Sequence, residues 1–282
     1  LVHLLDNKDL AAPALAALVA IGSNPEPWAY PQLISCLDLP QNSGGRDAEI
    51  VLTRCGEEAV PALIDASKTG KLSIRTRSIY TLGQMKFRGL AAVEYLKPAS
   101  RDQEAQVRRE AIRALSKIDP TDHDIAYTIA AALRDDDEEV VVAAALSMAL
   151  MINPPDELLD DLLSALKTYQ ANERVASRLA RAIGIYGQKA VPTLINIVEH
   201  DLPGKEYAIS TLGEIGPEAD AATILLMSKY SNSDPDLQEA IVTALGDIGN
   251  DRSFDLLCHA YHSGSKTAVK VEALNAISKF SS

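Results

Sequence analysis

The stretch Val107-Arg108-Arg109-Glu110-Ala111-Ile112-Arg113-Ala114-Leu115-Ser116-Lys117-Ile118 decides the fold. Counting Val107 as place 0, places 0, 4, 7, 8 and 11 are apolar or small and share one face of a helix. The same spacing recurs in Val175/Leu179/Ala182/Ile183/Tyr186, in Leu237/Ile241/Ala244/Leu245/Ile248 and in Val269/Ala273/Ala276/Ile277/Phe280. A large anchor at place 8 falls at Leu18, Leu52, Leu82, Leu115, Met148, Ile183, Leu212, Leu245 and Ile277, with gaps of 34, 30, 33, 33, 35, 29, 33 and 32 residues. So even a spacing marks a structural repeat of about 33 residues.

Between anchors runs a second amphipathic segment, such as Ala59-Val-Pro-Ala-Leu-Ile-Asp65 or Val191-Pro-Thr-Leu-Ile-Asn-Ile-Val198. Proline near its start suits the first turn of a helix, where the missing N–H has no partner to lose. Asp102, Asp137, Asn172 and Asp234 stand at or beside N-caps of the anchor helices. Place 9 is mostly small (Gly83, Gly184, Gly213, Gly246), although glycine inside a helix costs about 1 kcal/mol against alanine. Close helix contact at that place is expected. The unit is therefore helix A, turn, helix B, loop. No hairpin buries its apolar face alone, so stacking must create a continuous core. The reading is an all-α, α-solenoid array over 1–282 as a single domain. Ser23–Gly45 is its one irregular region, with a short A helix over Gln32–Leu37 and a mobile loop after it. Leu1–Leu5 read like the end of a helix already under way, which suggests a fragment of a longer chain.

The 282 residues are 47% hydrophobic, 23% charged and only 5% aromatic, the balance of a folded, helix-rich chain. The apolar run Val140–Ile152 is hemmed in by Asp135–Glu139 and by Asn153-Pro154-Pro155, so no membrane span is expected. A formal net charge of −12 argues against a general nucleic-acid binder. Cys36, Cys55 and Cys258 lie in apolar helical patterns and read as buried reduced thiols, which favours a cytoplasmic setting.

The Asp-x-x-Val-Arg-x-x-Ala-x-x-Ala-Leu-Gly-x-Ile-Gly pattern, best kept at Gln103–Asp119, Asp137–Met151, Asn172–Gly187 and Asp234–Gly249, resembles HEAT repeats, especially the short subclass named after phycobilisome lyases. The resemblance implies an architecture with A helices on the convex side and B helices lining the concave side. Members of that family include scaffolds, bilin lyases, a DNA glycosylase and an iron hydroxylase, so function must come from sites.

Catalytic signatures are absent. No His-Glu pair, Gly-rich phosphate loop, nucleophile elbow or Cys-x-x-Cys occurs. His259 and His262 are three residues apart but lack a third ligand, so solvated histidines are expected and no metal or other cofactor. The acidic run Asp135–Glu139 lacks calcium-loop spacing and suits a helix N-terminus instead.

The outward stripe of each B helix falls near places 2, 6 and 10. It reads Thr76, Tyr80 and Gln84 in repeat three, with Arg75 and Arg77 beside them. Repeat four gives Arg109, Arg113 and Lys117; repeat five gives Val142, Leu146 and Leu150; repeat six gives Ser177, Arg181 and Ile185. Repeats seven and eight turn acidic, with Glu206, Ser210 and Glu214, then Glu239, Thr243 and Asp247. Residues 68–117 hold 12 Lys and Arg against 4 Asp and Glu, inside an otherwise acidic chain. The expected function is a non-catalytic scaffold for a protein or peptide partner with acidic and apolar residues. Tyr80, Arg109, Arg113, Val142, Leu146, Leu150 and Arg181 are its contact residues, and Arg pairing between repeats is the plainer use of the basic block. The alternatives are an enzyme or enzyme subunit of the bilin-lyase type and nucleic-acid binding through residues 68–117.

Overall fold

The computed structural model describes residues 1–7, 9–22, 24–202 and 204–280. They form helices and turns with no β-strand, and the chain divides into two compact units, Leu1–Pro154 and Pro155–Ser282. The first unit contains α1 (Ala11–Ile21), α2 (Tyr30–Ser35), α3 (Gly45–Cys55), α4 (Val60–Thr69), α5 (Leu72–Gln84), α6 (Val93–Ala99), α7 (Ala105–Ile118), α8 (His123–Ala131) and α9 (Glu138–Met148). The second contains α10 (Leu158–Thr168), α11 (Glu173–Gly184), α12 (Val191–Glu199), α13 (Lys205–Ile215), α14 (Thr223–Tyr230), α15 (Pro235–Ile248), α16 (Phe254–Ser263) and α17 (Thr267–Lys279).

Odd-numbered helices are the B helices and carry the nine anchors; even-numbered ones are the A helices. In the first unit α1, α3, α5, α7 and α9 pack side by side in one row, and in the second α11, α13, α15 and α17 do the same. From α3 onward each B helix also packs on the A helix of its own hairpin, as α5 does on α4 and α17 on α16. Each unit is therefore a stretch of α-solenoid. Eight of the nine anchors are buried, and Ile277, on α17, is half-buried.

The small residue at place 9 has a specific partner. A Cβ on Gly83 would lie 2.8 Å from Ala114 Cα, one on Gly213 2.9 Å from Ala244 Cα, and one on Gly246 2.4 Å from Ala276 Cβ. Ala114, Ala244 and Ala276 all occupy place 7 of the next B helix, so the rows are knit by glycine set against alanine. Gly83→Val should destabilise the first unit by about 1–3 kcal/mol through overpacking, even though replacing glycine by valine favours the helix by roughly 0.3 kcal/mol. Urea melts check this, and unchanged stability would mean that α5 and α7 can separate freely.

The ends of the hairpins are set by side chains. Asp137, Asn172 and Asp234 accept hydrogen bonds from backbone N–H groups in the first turns of α9, α11 and α15. Asp102 lies two residues ahead of the α7 cap and accepts from the Glu104 N–H. Arginines at place 1 then bridge consecutive repeats. Arg75 Nη2 meets Asp102 at 2.5 Å, and Arg108 makes two bonds of 2.7 Å to Asp135. The acidic run Asp135–Glu139 is thus used twice, as an ion-pair partner and as a helix cap.

Two local expectations change. Val2–Leu4 form a single 3-10 turn, not the end of an α-helix. The loop after Leu39, expected to be mobile, is pinned. Gln41–Ser43 make a 3-10 turn, Gln41 Nε2 donates to Glu49 at 2.9 Å, and Arg77 Nη1 donates to the Leu37 and Leu39 carbonyls at 2.5 and 2.6 Å. Gly45 makes room for this: a Cβ there would lie 2.3 Å from Leu39 O and 2.5 Å from Arg77 Nη1. The short A helix is seen as α2 followed by a 3-10 turn at Cys36–Asp38, while Ser23 lies outside the described residues.

Candidate functional site

On the B-helix row of the first unit, α3, α5 and α7 frame a depression of about 370 Å³. Its walls are Glu49 from α3, Thr76, Arg77 and Tyr80 from α5, and Arg109, Glu110 and Arg113 from α7, with Gln41 at the loop end. Helical spacing explains the convergence. Thr76 and Tyr80 are four residues apart, as are Arg109 and Arg113, so each pair projects from one side of its helix. Three of the seven residues expected from the sequence, Tyr80, Arg109 and Arg113, meet here.

Glu110 organises the α7 wall. It is only 8% exposed, and its Oε1 accepts from Arg109 Nε and Arg113 Nη1, each at 3.2 Å. A buried carboxylate needs such charge-assisted partners. Lys117, one turn beyond Arg113, stands over the Tyr80 ring with Nζ 5.3 Å from the centroid. Burial is the main reason that its ammonium pKa is lowered. Sequence reading did not select Glu110, Glu49 or Gln41 for the site. The Glu110–Arg113 spacing of three was a usable signal, but nothing local linked Gln41 to Glu49.

The other expected residues fare differently. Val142 is 6% exposed and unavailable to a partner, because Val140 to Ala145 are buried all round and α9 has no outward stripe at that level. Leu146 is half-buried, and Leu150 is 54% exposed in the turn just past α9. Arg181 is exposed on α11, in the second unit, and is not part of this depression. Within the basic block, Arg75, Arg77 and Arg108 are engaged by Asp102, by backbone carbonyls and by Asp135. Much of its charge therefore serves the stack itself.

In the second unit, Ser210, Glu214, Glu239, Thr243 and Asp247 line a cleft of about 420 Å³ together with Asp236, whose carboxylate pairs with Lys266. Asp247 pairs with Lys279. His259 and His262 are exposed on α16, and no group of three or more His, Cys, Asp or Glu is placed to hold a metal among the described residues. Cys36 and Cys55 are buried free thiols and Cys258 is half-buried. No helix among the described residues is long and apolar enough to cross a membrane.

Comparison with known proteins fits this architecture. Residues 203–278 match the HEAT repeat family. YibA of Escherichia coli has a similar fold, with a TM-score of 0.59 at 17% identity, over 88% of this chain and 91% of that one. An engineered protein aligns with a TM-score of 0.47 at 18% identity, over 100% of this chain and 88% of that chain. The complex of CpcE and CpcF of phycocyanin lyase from Nostoc sp. PCC7120 aligns with a TM-score of 0.48 at 19% identity, over 78% and 94%. At 17% identity the likeness to YibA concerns the fold alone. No curated protein matches the sequence. The B helices of the matched segment, α13, α15 and α17, keep the same place-by-place register as the B helices before them, so residues 203–278 are HEAT repeats and the repeat pattern they share runs through the array.

Proposed function

We propose that the chain is a non-catalytic interaction scaffold that holds an acidic, partly apolar peptide segment on the B-helix row of its first unit. The observation that carries this reading is the depression itself, where Tyr80, Arg109 and Arg113 converge on a surface that offers both guanidinium groups and a ring. The adjoining α9 adds Leu146 and, just beyond its end, Leu150, so apolar contact is offered along the same row. HEAT repeats suit such a role because a stacked row presents a long surface to an extended segment.

The test is selection of binders from a random peptide display library, followed by affinity measurement on variants whose melting is unchanged. Leu146→Asp and Arg113→Glu should each weaken the selected peptides by about tenfold or more. The arginine change should act through on-rate and salt sensitivity and the leucine change through off-rate. Glu206→Lys on α13 should have no effect. Retained binding in both first-unit variants would refute the assignment of this face.

A further inference from the structure

We infer that the depression framed by Arg77, Arg109 and Arg113 is a receptor for a single carboxylate, supplied by an acidic side chain or by a peptide C-terminus. This deepens the peptide-scaffold reading and rests on it for the source of the carboxylate.

A guanidinium has five N–H donors, and each of these three is tethered by only part of its set. Arg109 uses Nε and Arg113 uses Nη1 on the same oxygen of Glu110, and Arg77 uses Nη1 on the Leu37 and Leu39 carbonyls. Their other nitrogens, Nη1 and Nη2 of Arg109, Nε and Nη2 of Arg113 and of Arg77, have no protein partner among the described residues. The tethers remove rotamer freedom in advance, so less is lost when a ligand is bound. Planar forks of donors held in this way match a carboxylate geometrically.

Charge selects among anions. Three guanidinium groups face two carboxylates, Glu49 and Glu110, both only 8% exposed. The lining therefore carries one net positive charge, which a monoanion neutralises. A phosphate dianion would overshoot it and face both buried carboxylates. Lys117 is engaged with the Tyr80 ring and does not line the depression. Tyr80, itself 39% exposed, supplies a flat wall against which the methylene groups of an acidic side chain can lie.

The experiment follows the side-chain Nε–Hε signals of Arg77, Arg109 and Arg113 in the 15N-labelled chain, assigned by Gln substitution. The probes are N-acetylglutamate α-amide, N-acetylalanine, N-acetylglutamine amide and inorganic phosphate. The three signals should shift together and saturate with both carboxylates, and the tighter of the two identifies the source as side chain or C-terminus. The neutral amide should produce no shift, phosphate should bind about tenfold more weakly, and Arg88, exposed and outside the depression, should stay unchanged. Arg113→Gln should weaken the carboxylates by about tenfold, and Arg109→Gln serves as the second variant if Arg113→Gln melts early. No saturable shift, an equal response to the neutral amide or phosphate, or full binding in a folded Gln variant would each overturn the inference. Saturation by carboxylates without any retained library peptide would leave the receptor standing and refute the scaffold reading. Retained acidic library peptides that leave the three Nε–Hε signals unmoved, with no saturation by either carboxylate, would do the reverse.

Discussion

Leu115→Ala and Leu245→Ala are each expected to lower the unfolding free energy by about 2–5 kcal/mol. Both side chains are completely buried, and both are place-8 anchors in the middle of a row of B helices. Leu115 lies on α7, between α5 and α9; Leu245 lies on α15, between α13 and α17. Truncation removes three carbons where the neighbouring helix cannot collapse inward, since glycine-against-alanine contacts such as Gly83 on Ala114 already set the spacing. In repeat arrays stability is roughly a sum of repeat and neighbour-interface contributions. Leu115→Ala should therefore expose amides of the first unit to hydrogen exchange, and Leu245→Ala those of the second. Ile277→Ala, at a half-buried anchor, should cost less than either. Neutral denaturant melts for both leucine variants would mean that the repeat register is misplaced.

That register is the part of the molecule the sequence displayed most openly. Period and face are properties of one helix at a time, so nine copies of the same spacing placed every B helix and its buried side. What covers the opposite face depends on neighbours, and periodicity carries no information about that. Val142 illustrates this: its place in the repeat points outward, yet α9 is apolar all round and buries it. The use of each arginine was similarly hidden. Arg108 and Arg109 are adjacent in sequence but about 100° apart around the helix, which sends Arg108 to Asp135 and Arg109 to the depression. Contacts across loops were out of reach, as with Gln41 on Glu49 and Arg77 on Leu39. The boundary between the two units falls at Pro154 and Pro155, inside the longest anchor gap of 35 residues. Two consecutive prolines there remove two backbone donors and keep the preceding residues out of helix.

Arg108→Ala is expected to cost about 2–3 kcal/mol at neutral pH, as loss of hydrogen bonds to a charged group. Its guanidinium makes two 2.7 Å bonds to Asp135, with side chains only 17% and 11% exposed. Such a pair differs from an exposed one, because removal of one partner strands the other away from water. The Asp135 carboxyl shows the same balance. Burial alone pushes its pKa up, but the Arg108 bonds, the Asp137 N–H and the Arg108 charge together outweigh this and hold it below the usual carboxylate range. A carboxyl with a depressed folded pKa contributes stability above its unfolded value, near 3.9, and that contribution is lost as pH falls through the folded value. The stability difference between the native chain and Asp135→Asn should accordingly be complete at pH 7 and shrink below about pH 4. Asp38, Asp119, Asp201 and Asp234 are also held low, so total acid lability cannot isolate the pair. The difference between the two proteins does, because those four carboxyls are common to both. A difference that stayed constant from pH 7 to pH 3 would show that Asp135 contributes no proton-linked stability. The bridge between repeats four and five would then be held by packing alone.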